Sequence, residues 1–306
     1  MIAILAPGQG SQTPGMLAPW LELDGAEERL AGWSERAGLD LRTLGTTATA
    51  EEIVDTSVTQ PLVVAAALLA QAEIEKRFTL PTDTIVAGHS VGELAAAAVA
   101  GVLTSDDAVG LAGVRGREMA AACALHPTGM TAILGGERQV VLDKLAEYGV
   151  DPANQNGAGQ IVAAGDKDAL ERLAADLPTG VKARALKVAG AFHTKYMAPA
   201  QDALRAYASS VPTKDPARTL LSNADGGEVT SGAETLTRLV DQVTRPVKWD
   251  ACMATLGERG VTVVVELPPA GALVGLIKRE LPSVERIRLK TPADLDSLTQ
   301  FVEGSK

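Results

Sequence analysis

Cysteine is nearly absent from this chain of 306 residues, and basic residues are fewer than acidic ones. Cys123 and Cys252 stand far apart in the sequence, so neither a zinc site nor a disulfide framework is expected. The 38 acidic and 28 basic residues give a formal net charge of −10, which argues against nucleic acid as a partner.

Long apolar runs are also lacking. The longest, 61–70 and 94–103, are well short of the roughly 18 residues that a membrane span needs. The first twelve residues contain no basic stretch of the kind that opens a signal peptide. We therefore expect a soluble, cytoplasmic protein with no membrane partner, and we expect it to be a monomer.

Apolar residues make up 46% of the chain, and their pattern alternates between strands and helices at both ends of the sequence. We predict strands at 2–6, 84–87 and 261–267, and helices at 63–76, 92–103, 106–122 and 271–280. Such alternation is typical of a parallel, doubly wound α/β sheet.

The middle of the chain follows a different order. Between residues 130 and 188 the predicted elements run strand, helix, strand, strand, helix, strand, with a turn at 156–159. This βαββαβ order is the ferredoxin-like pattern. We predict a small domain over residues 124–188, inserted into an α/β domain formed by residues 1–123 and 189–306.

The stretch GHSVGE, residues 88–93, joins a predicted strand to a predicted helix. Ser90 stands between Gly88 and Gly92, which is the G-x-S-x-G pattern of a nucleophile elbow. Ser90 and Glu93 also fit S-x-x-E, the capping box that begins many ordinary helices. The two interpretations are compatible, and the context of strand, turn and helix favours the elbow.

A serine nucleophile needs a base within hydrogen-bond reach, and the chain has three histidines. We interpret His89 as structural, because neighbours at an elbow normally point apart. His126 precedes Pro127 near a predicted domain boundary and is predicted to lie in a loop. His193 remains as the candidate base, with a purely structural histidine as the alternative.

Arg115 is predicted to lie on the apolar face of the helix at 106–122, opposite to Arg117. A buried arginine needs an anion or a hydrogen-bonding partner. A substrate carboxylate could supply two parallel hydrogen bonds. An internal salt bridge, or extension of the side chain to the surface, would serve as well, and the pattern leaves these alternatives open.

The stretch PGQGSQ, residues 7–12, follows the first predicted strand. It lacks the third glycine of the dinucleotide motif G-x-G-x-x-G, because Thr13 stands at that position. We therefore expect no nicotinamide and no other cofactor. A glycine-rich turn can instead present backbone N–H groups of the kind that stabilise the oxyanion in acyl transfer.

Six stretches resemble the malonyl-CoA:acyl carrier protein transacylase family, in the order PGQGSQ, GHSVGE, VRGREM, NQNGAGQIVAAG, AFH and QVTRPVKW. The resemblance implies a hydrolase-like α/β domain with a ferredoxin-like insertion. It also implies transfer of malonyl from malonyl-CoA to the phosphopantetheine thiol of acyl carrier protein. The transfer would pass through a malonyl-serine ester and would supply extender units for fatty acid synthesis.

The same resemblance implies roles for single residues. Ser90 would be the acylated nucleophile and His193 its base, oriented by the main-chain carbonyl of Gln242. The backbone N–H groups of Gln9 and Val91 would form the oxyanion hole.

The choice of acyl group would fall to further residues. Arg115 would bind the malonyl carboxylate, and Phe192 would crowd a 2-methyl branch. Phe192 and Val91 resemble the malonyl-selective pattern of related acyltransferases. The polyketide pattern commonly begins with His where this chain has Gly190, so the match is partial.

Three alternatives stay open at this point: an acyltransferase that serves a polyketide carrier protein, a serine thioesterase or hydrolase, and a non-catalytic module that binds acyl carrier protein. The hydrolase predicts a carboxylate partner for the histidine and does not need Arg115. Because carrier proteins are acidic like this chain, docking requires a local basic patch. The candidates are Lys182, Arg184, Lys187 and Lys195.

Overall fold

The structure is a computed structural model that describes residues 1–157 and 159–302. Ala158, in the predicted turn, and residues 303–306, at the end of the predicted α/β domain, lie outside the described residues. The strands are β1 Ile2–Ala6, β2 Ile85–Gly88, β3 Thr128–Leu134, β4 Asp151–Gln155, β5 Gln160–Asp166, β6 Lys182–Ala185, β7 Thr219–Leu221, β8 Glu228–Val229, β9 Val247–Lys248, β10 Val263–Glu266 and β11 Glu285–Arg288.

The α-helices surround these strands, and 3-10 turns at Lys195–Met197, Gln242–Thr244 and Pro292–Leu298 join some of them. The helices are α1 Ala18–Leu21, α2 Ala26–Ala37, α3 Leu41–Thr46, α4 Thr56–Arg77, α5 Gly92–Val99, α6 Ser105–Cys123, α7 Arg138–Glu147, α8 Lys167–Ala175, α9 Ala198–Ala208, α10 Gly232–Asp241, α11 Trp249–Glu258, α12 Ala272–Glu280 and α13 Thr299–Val302.

The larger sheet has six strands in the order β11-β10-β1-β2-β7-β8. Neighbouring strands are parallel except for β7 and β8, which are antiparallel. The strand order reverses at β1, because β2 and β7 extend the sheet on one side and β10 and β11 on the other. In open α/β sheets, ligands bind beyond the carboxyl ends of the strands at such a point.

The smaller sheet has the order β6-β3-β5-β4-β9. Its first four strands, with α7 and α8, follow the βαββαβ order and pair antiparallel. Strand β9 comes from later in the chain and pairs parallel with β4. The predicted architecture, a doubly wound parallel sheet with a ferredoxin-like insertion, is confirmed. The domain limits at 124 and 188 stay a prediction.

Helix α4 begins seven residues earlier than predicted, at Thr56. The side chain of Asp55 caps it by accepting a hydrogen bond from the Ser57 N–H, and Pro61 lies inside it. By length and composition α4 could cross a membrane, but 78% of its most apolar window is buried inside the protein, as in the core helix of a globular domain. The added turns matter because they carry Gln60.

Helix α6 lies against its neighbours at two glycines. A methyl group at Gly116 would stand 2.8 Å from the Thr56 carbonyl oxygen of α4, and one at Gly113 would stand 3.0 Å from Ala37 Cα of α2. This close approach carries Arg115, which is only 2% exposed, into the interior. The predicted place of Arg115 on the apolar face of the helix is confirmed, and the alternative in which its side chain extends to the surface is wrong.

The contact at Gly116 can be tested by adding a single methyl group. We expect Gly116→Ala to lower the free energy of unfolding by about 1–3 kcal/mol, because overpacking forces the two helices apart. The control is Gly32→Ala in α2, where a methyl group meets nothing within 4 Å and should stabilise the helix by about 0.5–1 kcal/mol. Denaturant unfolding measures both, and equal effects would contradict the packing argument.

Candidate active site

Three loops meet at the carboxyl edge of the larger sheet. They follow β1, β2 and β7, which are neighbouring parallel strands, so the carboxyl ends of these strands place the loops side by side. The His89 N–H donates to the Ala6 carbonyl at 3.0 Å, and the Ser90 N–H donates to Asn223 Oδ1 at 2.8 Å. The loops comprise residues 7–12, 89–91 and 222–223.

Ser90 occupies the tight turn between β2 and α5. Its φ of 54° lies in the left-handed region, which non-glycine residues adopt only when their surroundings hold them there. A methyl group at Gly88 would collide with the Gly92 backbone, and one at Gly92 would collide with the Ala6 carbonyl. The two glycines of the elbow pattern are therefore required by the close approach of strand, turn and helix.

The capping-box interpretation is wrong. Helix α5 begins at Gly92 with no side-chain cap. The Ser90 hydroxyl faces a histidine, and the Glu93 carboxylate accepts hydrogen bonds from the Asn223 N–H, at 2.6 Å, and from Gln242 Nε2. Both side chains bind residues that are distant in the sequence, so neither takes part in a capping box.

Ser90 and His193 lie within hydrogen-bond reach. The distance from Ser90 Oγ to His193 Nε2 is 2.7 Å, and His193 Nδ1 lies 2.8 Å from the main-chain oxygen of Gln242. Because a carbonyl oxygen can only accept, Nδ1 carries the proton and Nε2 is free to accept from the serine hydroxyl. The histidine partner is thus an uncharged carbonyl, where the hydrolase alternative requires a carboxylate.

The imidazole of His193 is a weak base in this setting. Burial, and then the positive charge of Arg115, lower the pKa of His193 from 6.5 to about 3. Both causes penalise the protonated ring. The ring is therefore neutral at physiological pH and able to accept a proton.

Arg115 reaches the site through its guanidinium group. Nη1 donates to Gln60 Oε1 at 2.6 Å, and Nη2 donates to Gln242 Oε1 at 3.0 Å and to Ser90 Oγ at 3.4 Å. Burial lowers the pKa of Arg115 to about 10, so the group stays charged at neutral pH. Within the described residues Arg115 forms no salt bridge, and a buried cation without an ion pair attracts an anionic ligand.

Gln9 and Val91 lie on two loops that touch. A methyl group at Gly8 would stand 2.5 Å from the His89 carbonyl oxygen, so the loops approach backbone to backbone. Within residues 1–157 and 159–302, neither the Gln9 N–H nor the Val91 N–H donates to a protein acceptor. No described acceptor therefore competes for either N–H group, and their role as an oxyanion hole stays a prediction.

The other two histidines have partners of their own. His89 Nε2 lies 2.8 Å from Asn156 Oδ1, and its ring meets Trp249 edge-on with centroids 5.6 Å apart. These contacts tie the elbow to the smaller sheet. His126 lies in a bend after α6, as predicted, with its ring against Tyr196.

Phe192 precedes His193 and is buried. Two residues earlier, a methyl group at Gly190 would stand 2.6 Å from Cys123 Sγ. The larger side chain of the polyketide pattern could not replace Gly190 without moving Cys123. The role of Phe192 in excluding a methyl branch stays a prediction.

Residues 5–293 match the family model of the acyl transferase domain. The chain belongs to the acyl transferase family. It is 59% identical over 302 residues to the malonyl CoA-acyl carrier protein transacylase of Mycobacterium tuberculosis, covering 98% of this chain and 100% of the relative. The family resemblance drawn from the motifs is confirmed.

Solved structures give the same result. The crystal structure of MCAT from Mycobacterium tuberculosis superposes with a TM-score of 0.94 at 58% identity, covering 97% of this chain and 99% of that one. A type II PKS acyl-carrier protein in complex with its malonyl-transacylase, PlMCAT:AntF, matches with a TM-score of 0.91 at 30% identity, covering 98% of this chain and 99% of that one.

Three polar residues complete the site of this acyl transferase and were not predicted as part of it: Gln60, Glu93 and Asn223. Glu93 is 5% exposed, and burial raises its pKa to about 8, against the opposing effects of the Asn223 and Gln242 hydrogen bonds and of nearby arginines. We describe Glu93 as a carboxylate, because both of its oxygens accept. Among the described residues no cluster of His, Cys, Asp or Glu is placed to hold a metal ion.

The low pKa of His193 has a measurable consequence. We expect the rate at which a thioester acylates Ser90 to stay level as the pH falls from about 8 to about 5, because the neutral base persists down to about 3. Since the folded pKa lies below the unfolded value, stability from this group is present above pH 6.5 and declines toward pH 3. Stopped-flow release of thiol measures the rate, and half-loss near pH 6.5 would contradict the assignment.

Proposed function

We propose that this acyl transferase moves a malonyl group from malonyl-CoA to the phosphopantetheine thiol of acyl carrier protein, and so supplies extender units for fatty acid synthesis. The observation that carries the proposal is the charged guanidinium of Arg115, which has no ion-pair partner in the described part of the chain and lies beside the Ser90–His193 pair. The names of the near-full-length relatives support it.

The first half-reaction acylates Ser90. As Oγ attacks the thioester carbonyl carbon, His193 Nε2 takes the hydroxyl proton. The oxyanion that forms accepts hydrogen bonds from the N–H groups of Gln9 and Val91. Collapse of the tetrahedral intermediate breaks the carbon–sulfur bond. The CoA thiolate leaves with the proton from His193, and malonyl remains as an ester on Ser90.

The second half-reaction uses the same atoms in reverse. The carrier thiol gives its proton to His193 Nε2 while its sulfur attacks the ester carbonyl. Collapse now breaks the bond to Ser90 Oγ, which regains the proton from His193. Atoms and charges balance without a cofactor, and the site returns to its starting state.

Arg115 serves this cycle in two ways. Its guanidinium can form paired hydrogen bonds with the malonyl carboxylate. The same carboxylate offsets the positive charge that disfavours a protonated His193. An acyl group without a carboxylate leaves that charge in place, so the arrangement favours malonyl in binding and in proton transfer.

The proposal includes a monomeric, cytoplasmic enzyme. Every group in the cycle comes from one chain, which supports a monomer as the working unit. The oxyanion donors, the nucleophile and its base lie on loops of the single six-stranded sheet and on the segment after β6. Equal activity per chain over a wide range of enzyme concentration would agree with this.

The proposed ester can be observed directly. After mixing with malonyl-CoA, intact mass spectrometry should show one malonyl group on the wild-type chain and none on Ser90→Ala. Adding acyl carrier protein should remove the group and yield malonyl-carrier. An unmodified wild-type chain would favour a non-catalytic binding module, and release of free malonate in place of malonyl-carrier would favour a hydrolase.

Arg115→Ala tests the source of selectivity. We expect kcat/KM for malonyl-CoA to fall on the order of 10- to 100-fold, the value of a hydrogen-bonded charge pair, while acetyl transfer rises relative to it. Arg117→Ala is the matched control, because Arg117 is exposed on the opposite side of α6 and pairs with Glu118. An unchanged malonyl rate in Arg115→Ala would contradict the proposal.

A further inference from the structure

We infer that Glu93 is a positioning residue that fixes the side-chain amide of Gln242 and, through it, the guanidinium of Arg115. The inference rests on the proposed function, since it assigns to Glu93 a share in selecting the charged acyl group. The Glu93 carboxylate has no hydrogen bond to Ser90 or His193 within the described residues; its partners are Asn223 and Gln242.

Gln242 joins the two halves of the site. Its main-chain oxygen accepts from His193 Nδ1, and its side-chain Oε1 accepts from Arg115 Nη2. It is 5% exposed, so no bulk water replaces a partner that is lost. One residue therefore sets the direction of both the base and the cation.

The amide of Gln242 has two ends, and its neighbours decide which end faces which group. Arginine only donates, so Oε1 must face Arg115. The NH₂ end then faces Glu93 Oε2, with Asn223 Oδ1 also within 3.3 Å. The other oxygen of Glu93 accepts from the Asn223 N–H, which also only donates. Two donors converge on Glu93, and a carboxylate is the side chain of this length with two acceptor oxygens.

Glu93→Gln keeps the shape and removes one acceptor. The new amide oxygen can accept from the Asn223 N–H, but its NH₂ then faces the NH₂ of Gln242. If Gln242 turns to relieve this, its own NH₂ faces the guanidinium, and both groups are donors. In the first arrangement Gln242 keeps only Asn223 Oδ1, 3.3 Å away, as an acceptor, and in the second it faces Arg115 donor to donor, so both weaken the hold of Gln242 on Arg115.

The expected result is a loss of selectivity. In Glu93→Gln the malonyl-to-acetyl ratio of kcat/KM should fall on the order of 10-fold, with KM for malonyl-CoA raised and acetyl transfer little changed. A role in folding alone would lower the melting temperature and reduce kcat/KM for malonyl and acetyl transfer alike. Equal loss for the two acyl groups, or an unchanged ratio, would overturn the inference.

A double variant separates position from packing. In Glu93→Gln/Gln242→Glu the amide at 93 accepts from Asn223 and donates to the new carboxylate at 242, which also accepts from Arg115. The hydrogen bonds are matched again, so the melting temperature should recover relative to Glu93→Gln. The ratio should stay low, because a protein carboxylate now neutralises Arg115. A double variant that folds no better than Glu93→Gln would overturn the inference, because the exchange restores the matching of donors and acceptors between residues 93 and 242.

Glu266→Gln is the control for loss of a buried carboxylate. Glu266 is fully buried and accepts N–H groups of Gly271, Leu273 and Val274 at the start of α12. We expect Glu266→Gln to lower the melting temperature and to leave the malonyl-to-acetyl ratio of kcat/KM unchanged. Malonylation of wild-type Ser90 is measured alongside. Its absence would refute the proposed function, whereas its presence with an unchanged ratio in Glu93→Gln would refute only the role of Glu93.

Discussion

The charge of Arg115, which is buried without an ion pair to any described residue, is the constraint around which the site is built. Removing a guanidinium from water is costly unless its donors find acceptors. The acceptors here are the amide oxygens of Gln60 and Gln242, which satisfy N–H groups without cancelling charge. The surrounding polar residues therefore keep a cation available for an anion. A carboxylate in direct contact would have made the same site more stable and unable to bind one.

This charge also decides how the histidine is held. In a hydrolase triad a buried carboxylate orients the imidazole and stabilises its protonated form. The carbonyl of Gln242 orients His193 equally well but brings no negative charge. With a cation on the far side of Ser90, the protonated ring is penalised from two directions, by burial and by Arg115. In a triad one carboxylate both orients the imidazole and raises its basicity. Here the Gln242 carbonyl orients His193, while burial and Arg115 set its basicity.

The groups that could be predicted from sequence are those with a local signature. Ser90 lies in a glycine pattern, His193 follows from there being three histidines, and Arg115 follows from the period of one helix. Gln60 was missed because the helix was predicted to begin at residue 63, whereas it begins at Thr56. Glu93 was assigned to a local capping box.

Asn223 had no signature at all, since its place beside the elbow depends on β7 lying next to β2. The hydrophobic period of a segment predicts whether it is a strand or a helix, but it does not predict which strands are neighbours in the sheet. The same reason explains why the alternation of elements predicted the fold class, while the pairing of β9 with the smaller sheet could not be predicted.

That pairing shows how the two sheets share one site. Strand β9 begins five residues after Gln242, and the Lys248 N–H donates to the Asn223 carbonyl at 2.8 Å. Asn156, just past β4, bonds His89 at the elbow. The segment that orients His193, the loop that holds the Ser90 N–H and the insertion are thus linked in a closed path of hydrogen bonds. A displacement of the smaller sheet would move both His193 and Ser90. The insertion therefore helps to set the geometry of the site, although it contributes neither the nucleophile, nor its base, nor the cation.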